Sequence, residues 1–212
     1  MKRYLEECAA TPLAEILSII QDRIINHTSY FGVPTLKNPM DFWVYQELIH
    51  QSKPSLIIEI GNNCGGSALA LAHLQDLMHH GRIIAVDIDH SRIDPQVAAH
   101  PRIMLVEGDA CSVVDRVRSV VQADDRIMII EDSSHTYDNT LNVLNAYCGL
   151  LKRGEYFVVE DGICHHGLDI GPNPGPYEAI EDFVRTHEEF EIDRSKESFL
   201  ITWNPKGFLV RK

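Results

Sequence analysis

From residue 55 onward, the chain alternates short apolar runs rich in Ile and Val with stretches of helical periodicity. The apolar runs read SLIIEI, RIIAVDI, IMLVEG, RIMIIED and YFVVED, and helical stretches lie between most of them. Strands of nearly continuous Ile and Val are typical of a parallel sheet that helices cover on both faces. The sequence therefore predicts an α/β fold with five parallel strands.

The segments on either side of this region have different patterns. Apolar residues at helical spacing predict two helices before the first strand, over 13–26 and 40–50. After the last parallel strand, a helix is predicted over 177–190. The runs at 198–203 and 208–211 flank an Asn-Pro-Lys-Gly turn, so we expect them to pair as an antiparallel hairpin at one edge of the sheet.

Charge and cysteine content limit the classes of partner. The chain has 31 acidic and 19 basic residues, a formal net charge of −12, so nucleic acid and anionic membranes are not expected partners. Its five cysteines are scattered and include no CxxC pair, so the cysteines form neither a disulfide framework nor a zinc site. With acids near the N-terminus and no long uncharged apolar run, we predict a cytoplasmic protein.

The first strand of the sheet ends in a glycine-rich turn that suits a cofactor. Gly61 would permit a tight turn, Gly65 and Gly66 would let a ligand lie against the main chain, and Ser67 would cap the next helix. Glu59 lies inside the apolar strand, where an unpaired charge is costly. We therefore expect Glu59 to meet a cation, and the amino group of a ligand would serve.

Two more acids follow the next two strands. Asp87 closes the second strand, near the place where such folds put a carboxylate on ribose hydroxyls. The third strand ends in a turn with Asp109 and Ala110. Asp109 alone is explained equally well as a helix N-cap. These acids lie in register at successive strand ends, which favours a shared ligand site.

Carboxylates at the ends of the fourth and fifth strands predict a metal site. Asp132 follows one strand, and Glu160 with Asp161 closes the next, so the three side chains should converge. Three like charges need a cation, and oxygen ligands favour Mg²⁺. His135 lies three residues beyond Asp132 and suits a general base. The simpler alternatives are that Asp132 caps a helix and that His135 is an ordinary loop residue.

Two other functions remain open at this stage. One is an NAD-dependent oxidoreductase, which the glycine pattern disfavours because the chain reads G-N-N-C-G-G from Gly61 rather than GxGxxG. The other is a non-catalytic protein that has the fold and binds a ligand but activates a partner enzyme. The intact set of acids with His135 argues against this second alternative.

The motifs resemble those of class I S-adenosylmethionine-dependent methyltransferases: E-x-G followed by GGS, an acid closing the second strand, and a G-D-A turn after the third. The resemblance implies that Glu59 and Gly61 lie near the methionine part of the cofactor, Asp87 on ribose, and Asp109 with Ala110 beside adenine. It implies a Rossmann-like, mostly parallel seven-stranded sheet with a C-terminal antiparallel hairpin. Asn63 stands where many of these enzymes have glycine.

A closer resemblance covers roughly residues 30–212. The motifs D-S-x-H and V-E-D-G, with GVPTLKNPMDFWVYQELI and TWNPKGFLVR, look like the cephalosporin hydroxylase and rhamnosyl O-methyltransferase family. It implies Asp132, Glu160 and Asp161 as Mg²⁺ ligands and His135 as general base. One methyltransferase domain over 1–212 is expected, with a helical cap at 1–52 and a Rossmann-like core at 53–212.

These observations predict a Mg²⁺-dependent S-adenosylmethionine O-methyltransferase that acts on a hydroxyl of a sugar or small natural-product metabolite. Acceptor specificity is expected from the N-terminal segment and from the loop at 162–176. In that loop, His165 or His166 would contact the substrate, or both would simply be exposed loop residues. The apolar faces of the N-terminal helices predict a homo-oligomer.

Overall fold

A computed structural model describes residues 4–212, in which the strands form two sheets. The strands are β1 (Ser29–Tyr30), β2 (Val33–Pro34), β3 (Leu56–Ile60), β4 (Arg82–Asp87), β5 (Ile103–Glu107), β6 (Ile127–Glu131), β7 (Tyr156–Val159), β8 (Phe190–Ile192) and β9 (Phe208–Arg211). Strands β1 and β2 form a small antiparallel pair. The others form a seven-stranded sheet in the order β5-β4-β3-β6-β7-β9-β8. Strands β3 to β7 are parallel, and β9 is antiparallel to both of its neighbours.

Helices cover both faces of this sheet. The α-helices are α1 (Leu13–His27), α2 (Pro39–Ser52), α3 (Gly66–Leu77), α4 (Pro95–Ala98), α5 (Ala110–Val120), α6 (Tyr137–Tyr147) and α7 (Pro176–Thr186). Short 3₁₀ helices lie at Leu5–Cys8, Cys148–Leu150 and Arg194–Lys196. The start of α2 is fixed locally, because the Asn38 side chain accepts a hydrogen bond from the Met40 N–H and Pro39 occupies the first helical position. Both predicted N-terminal helices are confirmed.

The core has two layers, one on each side of the sheet. Neighbouring residues of β3 point to opposite faces, so Ile58 packs in the layer that contains Val117 of α5, whereas Ile57 packs in the layer that contains Leu69 of α3. The strands are apolar on both faces for this reason. The predicted α/β fold, with its mostly parallel seven-stranded sheet and antiparallel C-terminal strands, is confirmed.

The first strand of the antiparallel C-terminal pair is not the one that the sequence predicted. Residues 198–203 form no strand, and β9 pairs instead with β8. The backbone before β9 is tied to α2, because the Thr202 hydroxyl and the Trp203 N–H both donate to the carboxylate of Asp41, at 2.5 and 2.8 Å. The run predicted as a strand is therefore an irregular segment, exposed at Phe199 and Leu200 and buried at Thr202 and Trp203.

The predicted helix over 177–190 is also too long. The helix α7 ends at Thr186, and Phe190 begins β8. The Phe190 ring is buried and lies 5.3 Å from the ring of Phe183, centroid to centroid. The Phe190 ring packs in the same core layer as Phe183, and this packing accounts for the change from helix to strand.

The predicted division into a cap at 1–52 and a core at 53–212 stays a prediction. Helix α2 ends at Ser52, next to the proposed boundary. Residues 1–3 of the predicted cap lie outside the described residues. From residue 4 to residue 212, no helix has the length and apolar character that crossing a membrane would require.

Candidate active site

A cavity of about 580 Å³ opens where the parallel strands end. This edge of an open α/β sheet is where such folds bind their ligands. Helix α1 and residues 34–37 complete the wall on the other side. Eight of the predicted site residues line the cavity: Gly61, Ser67, Asp87, Asp109, Ala110, Asp132, His135 and Asp161. The other three, Glu59, Gly65 and Glu160, are buried and do not line the cavity in the described chain.

The turn after β3 depends on backbone conformations that most residues avoid. Gly61 has φ +90°, and a Cβ atom there would lie 2.0 Å from the carbonyl oxygen of Asp132. Glycine is therefore required for the turn to pass the end of β6. Asn63 has φ +49°, a region that asparagine enters more readily than most residues. The turn thus retains a left-handed residue although glycine is replaced there.

Asp87 is held by the same turn. Its Oδ2 accepts hydrogen bonds from the backbone N–H groups of Asn62 and Asn63, at 2.7 and 2.9 Å. Its Oδ1 accepts only a longer bond, 3.3 Å, from the N–H of Asp89 among the described residues. One carboxylate oxygen thus fixes the turn, while the other remains available at the cavity wall.

Asp109 caps the N-terminus of its helix, whereas Ser67 does not. Asp109 is the N-cap of α5, because its Oδ1 accepts from the Ser112 N–H at 2.9 Å, and it also lines the cavity. The predicted capping of α3 by Ser67 is wrong, because α3 begins at Gly66 with Gly65 as its N-cap. Ser67 is instead the second residue of the helix, and it lines the cavity.

A buried lysine, not recognised in the sequence, joins the carboxylates of three strands. The Nζ atom of Lys37 lies 2.5 Å from Asp132 Oδ2, 2.5 Å from Glu160 Oε1 and 4.0 Å from Glu59 Oε1. Burial alone would lower the pKa of Lys37, but the three carboxylates outweigh it, so the pKa is raised. Lys37 is therefore charged and supplies the cation that these acids need.

Glu160 and Glu59 are the most deeply buried acids of this group. Tyr45 donates its hydroxyl to Glu160 Oε1 at 2.8 Å and accepts a bond from the side-chain amide of Asn204. Desolvation raises the pKa of both acids, and the charge of Asp132 adds to the effect at Glu160. Asn62 donates to Glu59 Oε2 at 2.9 Å, but Glu59 Oε1 has no hydrogen-bond partner within 4–212. Glu59 thus keeps one buried acceptor atom unsatisfied beside Lys37.

A second group of side chains faces the cavity at the ends of β6 and β7. His135 Nε2 lies 3.2 Å from Asp161 Oδ2 and 4.0 Å from Asp132 Oδ1. Ligand atoms of the three residues lie within 4.8 Å of one another, which is close enough to hold one metal ion. His135 and Asp161 have φ +56° and +57°, a strained conformation for such residues that is common at functional sites. Desolvation raises the pKa of Asp161 to about 6, although His135 opposes the shift.

Glu131, the last residue of β6, is a further buried acid that the sequence analysis missed. Its Oε1 accepts bonds from the Ser133 hydroxyl and the Asn139 amide, and both of these residues line the cavity. Desolvation raises its pKa to about 6. The sequence feature that could have identified Glu131 is the one that identified Glu59, an acid at the end of an apolar strand, but the adjacent Asp132 explains the acidic strand end equally well.

The two histidines of the 162–176 loop contact residues of the loop and of α7 rather than the cavity. His166 Nε2 lies 2.6 Å from Glu178 Oε1, and its ring stacks on Tyr177 at 3.6 Å. His165 contacts Asp169 and the carbonyl oxygen of Gly171. Neither histidine lines the cavity of the described chain. The cavity wall also has a group of apolar side chains, formed by Ile24, Ile25, Leu36, Ile163, Ile170 and Trp203.

The strand order, the glycine turn beside Asp87 and the acid-lined cavity define a class I S-adenosylmethionine-dependent methyltransferase. The chain belongs to the rhamnosyl O-methyltransferase/CmcI family, whose model matches residues 22–212. The predicted membership of this family is thereby confirmed, and with it the prediction of an S-adenosylmethionine-dependent O-methyltransferase.

Named relatives and solved structures agree with this assignment. The chain is 36% identical over 197 residues to a rhamnosyl O-methyltransferase of Mycobacterium leprae, covering 88% of this chain and 84% of the relative. It is 32% identical to the rhamnosyl O-methyltransferase of Mycobacterium tuberculosis strain H37Rv, with 87% and 78% covered. A structure of CmcI D160 with Mg and SAM matches with a TM-score of 0.71 at 23% identity, covering 100% of this chain and 85% of that one.

Proposed function

We propose that this protein is a Mg²⁺-dependent O-methyltransferase that transfers the methyl group of S-adenosylmethionine to a hydroxyl of a sugar or small natural-product metabolite. The observation that carries the proposal is the cavity in which Asp87 and the Gly61 turn face the group of Asp132, His135 and Asp161. A cofactor end and a cation end in one cavity suit methyl transfer assisted by a divalent ion.

The cofactor end fits S-adenosylmethionine. The Oδ1 atom of Asp87 suits the ribose hydroxyls, because its Oδ2 is already used by the turn. Asp109 and Ala110 line the part of the wall assigned to adenine. Gly61 and Ser67, which line the cavity, are assigned to the methionine part, and Gly65 and Glu59, whose Oε1 is unsatisfied, are assigned to support this part from behind the wall. When bound, the cofactor supplies a methyl group on a positively charged sulfur.

The cation end fits a hard divalent ion, because the donors of its three acids are carboxylate oxygens. We assign Asp132, Glu160 and Asp161 as the ligands. Glu160 is at present held by Lys37 and Tyr45, so its participation requires Lys37 to release it. When bound, Mg²⁺ would supply positive charge that stabilises the deprotonated acceptor.

His135 is assigned as the general base. Its Nε2 faces the cavity side of Asp161 and accepts the proton of the acceptor hydroxyl. The carboxylate of Asp161, at 3.2 Å, then stabilises the protonated ring. The same position would also allow His135 to be a metal ligand, because it lies in one group with Asp132 and Asp161. The two roles predict different behaviour of a variant.

Methyl transfer to glycosides and polyols, measured with and without a chelator, tests the metal dependence. Activity that survives complete removal of divalent ions would contradict this part of the proposal. The relatives' names favour sugar acceptors, and the apolar part of the wall suits an acceptor that also carries an apolar group. Deoxy-sugar glycosides and fully hydroxylated sugars should therefore be compared.

The variant His135→Asn separates the base from the ligand. Asparagine tolerates the left-handed backbone of this position, so the fold should persist. For a general base, kcat should fall by about 10²–10⁴ while the Mg²⁺ and S-adenosylhomocysteine affinities, measured by calorimetry, stay unchanged. Loss of Mg²⁺ affinity together with kcat would assign His135 as a ligand instead. The variant Ser134→Ala, at the neighbouring exposed position, is the control.

A homo-oligomer and a cytoplasmic location also belong to this proposal. Self-association is supported by large apolar side chains exposed on the N-terminal helices, Leu13 on α1 and Trp43 on α2. Light scattering on the purified protein, with Trp43→Ser as a comparison, tests it. A monomer at all concentrations would contradict it. The cytoplasmic location stays a prediction.

A further inference from the structure

A second group of metal-ligating side chains lies on helix α3 and the connection from α4 to β5. His73 and Asp76 are one turn apart on α3, and His100 follows α4. Ligand atoms of the three lie within 4.8 Å of one another. All three belong to the described residues, and none of them lines the active-site cavity.

The geometry of this group leaves donor atoms facing one another. His100 Nε2 lies 3.1 Å from Asp76 Oδ2, and the rings of His73 and His100 lie 5.4 Å apart, centroid to centroid. His100 is largely shielded, with 11% of its side chain exposed, whereas Asp76 is 46% exposed. An ion could therefore approach from the Asp76 side and meet two imidazoles at once.

The outer contacts of His73 match those of metal-bound histidines. Its Nδ1 lies 3.1 Å from the Tyr30 hydroxyl, which can accept the Nδ1 proton and leave the lone pair of Nε2 free. Metal-ligating histidines usually donate their other N–H to an oxygen in this way. The Tyr30 hydroxyl belongs to β1, so the contact links β1 to His73 on α3, and through the group to His100 after α4.

Arg102 limits the charge of the site without blocking it. Its guanidinium binds Asp76 Oδ1 and the carbonyl oxygen of Gly81, which leaves Asp76 Oδ2 to the contact with His100 Nε2 that a metal ion would replace. The hydrogen bond from Arg102 lowers the pKa of Asp76, so the carboxylate is ionised at neutral pH. His100 Nδ1 accepts a long bond, 3.3 Å, from the Arg102 N–H, and this bond would be lost when Nε2 binds a metal. The Arg102 charge beside Asp76 and the loss of the bond to His100 Nδ1 both predict weaker metal binding than at a four-ligand structural site.

We propose that His73, Asp76 and His100 form a second divalent-metal site, separate from the active site, that binds Zn²⁺. Two imidazole nitrogens with one carboxylate oxygen suit zinc far better than magnesium, which prefers oxygen ligands only. Water would complete the coordination on the exposed side. The proposal does not depend on the function assigned to the active site.

Zinc at this position would fasten α3 to the α4–β5 connection. Through Tyr30 it would also steady the β1–β2 pair, and the chain continues from there to Thr35 and Lys37 in the cavity wall. The expected consequence is therefore a rise in thermal stability on zinc binding.

Zinc binding to the metal-free protein should be measured by calorimetry and thermal unfolding in an Asp161→Asn background, which removes a candidate ligand of the active site. We expect one Zn²⁺ per chain and a higher Tm. His73→Gln and His100→Gln should each weaken zinc binding by more than about tenfold, and Tyr30→Phe by about tenfold. The variant His80→Gln, an exposed histidine outside the group, should bind zinc normally.

Unchanged zinc affinity in both His73→Gln and His100→Gln would overturn the proposal, as would the absence of zinc binding in the Asp161→Asn protein. Circular dichroism shows whether each variant is folded. Should either variant unfold, the shifts of the His73 and His100 ring resonances on adding zinc to the folded Asp161→Asn protein decide the question, and unmoved resonances would overturn the proposal.

Discussion

The two ends of the active-site cavity hold their negative charge in different ways. At the cofactor end, Asp87 is fixed by two backbone N–H groups of a turn that directly follows β3. At the cation end, Asp132 and Glu160 are fixed by the side chain of Lys37, which lies about a hundred residues away in the sequence. Backbone donors cannot leave, whereas a lysine side chain can. The turn that holds Asp87 is thus preformed, whereas under the proposed function the cation end would exchange Lys37 for Mg²⁺.

Removal of the Lys37 ammonium group should have the largest effect on the free energy of unfolding. In Lys37→Met, the buried carboxylates of Glu59, Asp132 and Glu160 lose their charged partner, so the free energy of unfolding without metal should fall by about 3–5 kcal/mol. Urea unfolding at pH 7 measures it. Added Mg²⁺ should restore more stability to this variant than to the wild type, because the competing ammonium group is gone.

The matched control is Lys196→Met. Lys196 Nζ lies 4.0 Å from Asp193 Oδ2, with 20% and 21% of the two side chains exposed, so loss of this long and partly solvated pair should cost no more than about 1 kcal/mol. Equal stability of Lys37→Met and Lys196→Met would mean that Lys37 does not hold the cation end together.

The same difference explains which part of the site the sequence predicts. The turn at the cofactor end belongs to one continuous stretch of strand, turn and helix, and Asp87 closes the neighbouring strand, so the sequence predicts both the turn and the acid that holds it. The acids of the cation end were also visible at strand ends. Their lysine was not, because nothing in the local pattern around Lys37 distinguishes it from an ordinary loop residue. The need for a positive charge was recognised, but only the fold shows that the chain itself provides one.

Long-range contacts also account for the errors in the fold. The run at 198–203 is rich in apolar residues like a strand, yet Asp41 of α2 binds the Thr202 hydroxyl and the Trp203 N–H and keeps the run out of the sheet. Phe190 lies at helical spacing from Phe183, but it is the first residue of β8 and its ring packs in the core layer beside Phe183. In each case, local periodicity was overruled by a partner far away in the sequence, whereas the strands that are buried on both faces were predicted correctly.

Glu131 lies at the end of β6 and offers a way to reduce the charge at the cation end without removing Lys37. Its folded-state pKa is about 6, above its ordinary 4.5 because of burial. The folded protein therefore binds the proton more tightly than the unfolded chain, and stability is lost as the pH rises from 4.5 through 6. Glu131→Gln should remove this loss and raise the free energy of unfolding at pH 7 by up to about 2 kcal/mol.

Denaturant unfolding at pH 4.5 and pH 7 checks this prediction. Glu107→Gln, at the exposed end of β5, is the control and should change stability by less than about 0.5 kcal/mol. A Glu131→Gln protein that is less stable than the wild type at pH 7 would show that the hydrogen bonds to Ser133 and Asn139 outweigh the burial of the charge.

The smallest effect is expected at the cofactor end, where Asp87→Asn keeps the shape but leaves one acceptor oxygen in place of two. That oxygen can hold the turn or bind the ribose, but not both, so the Kd of S-adenosylhomocysteine should rise about tenfold, or about 1.4 kcal/mol. Stability should change little if the turn retains the oxygen. Asp94→Asn is the control for charge, because Asp94 lies outside the cavity wall and asparagine caps α4 equally well. If Asp87→Asn instead unfolds like Lys37→Met while its cofactor affinity stays normal, the cofactor end is no more preformed than the cation end, because its acid then serves the fold rather than the ligand.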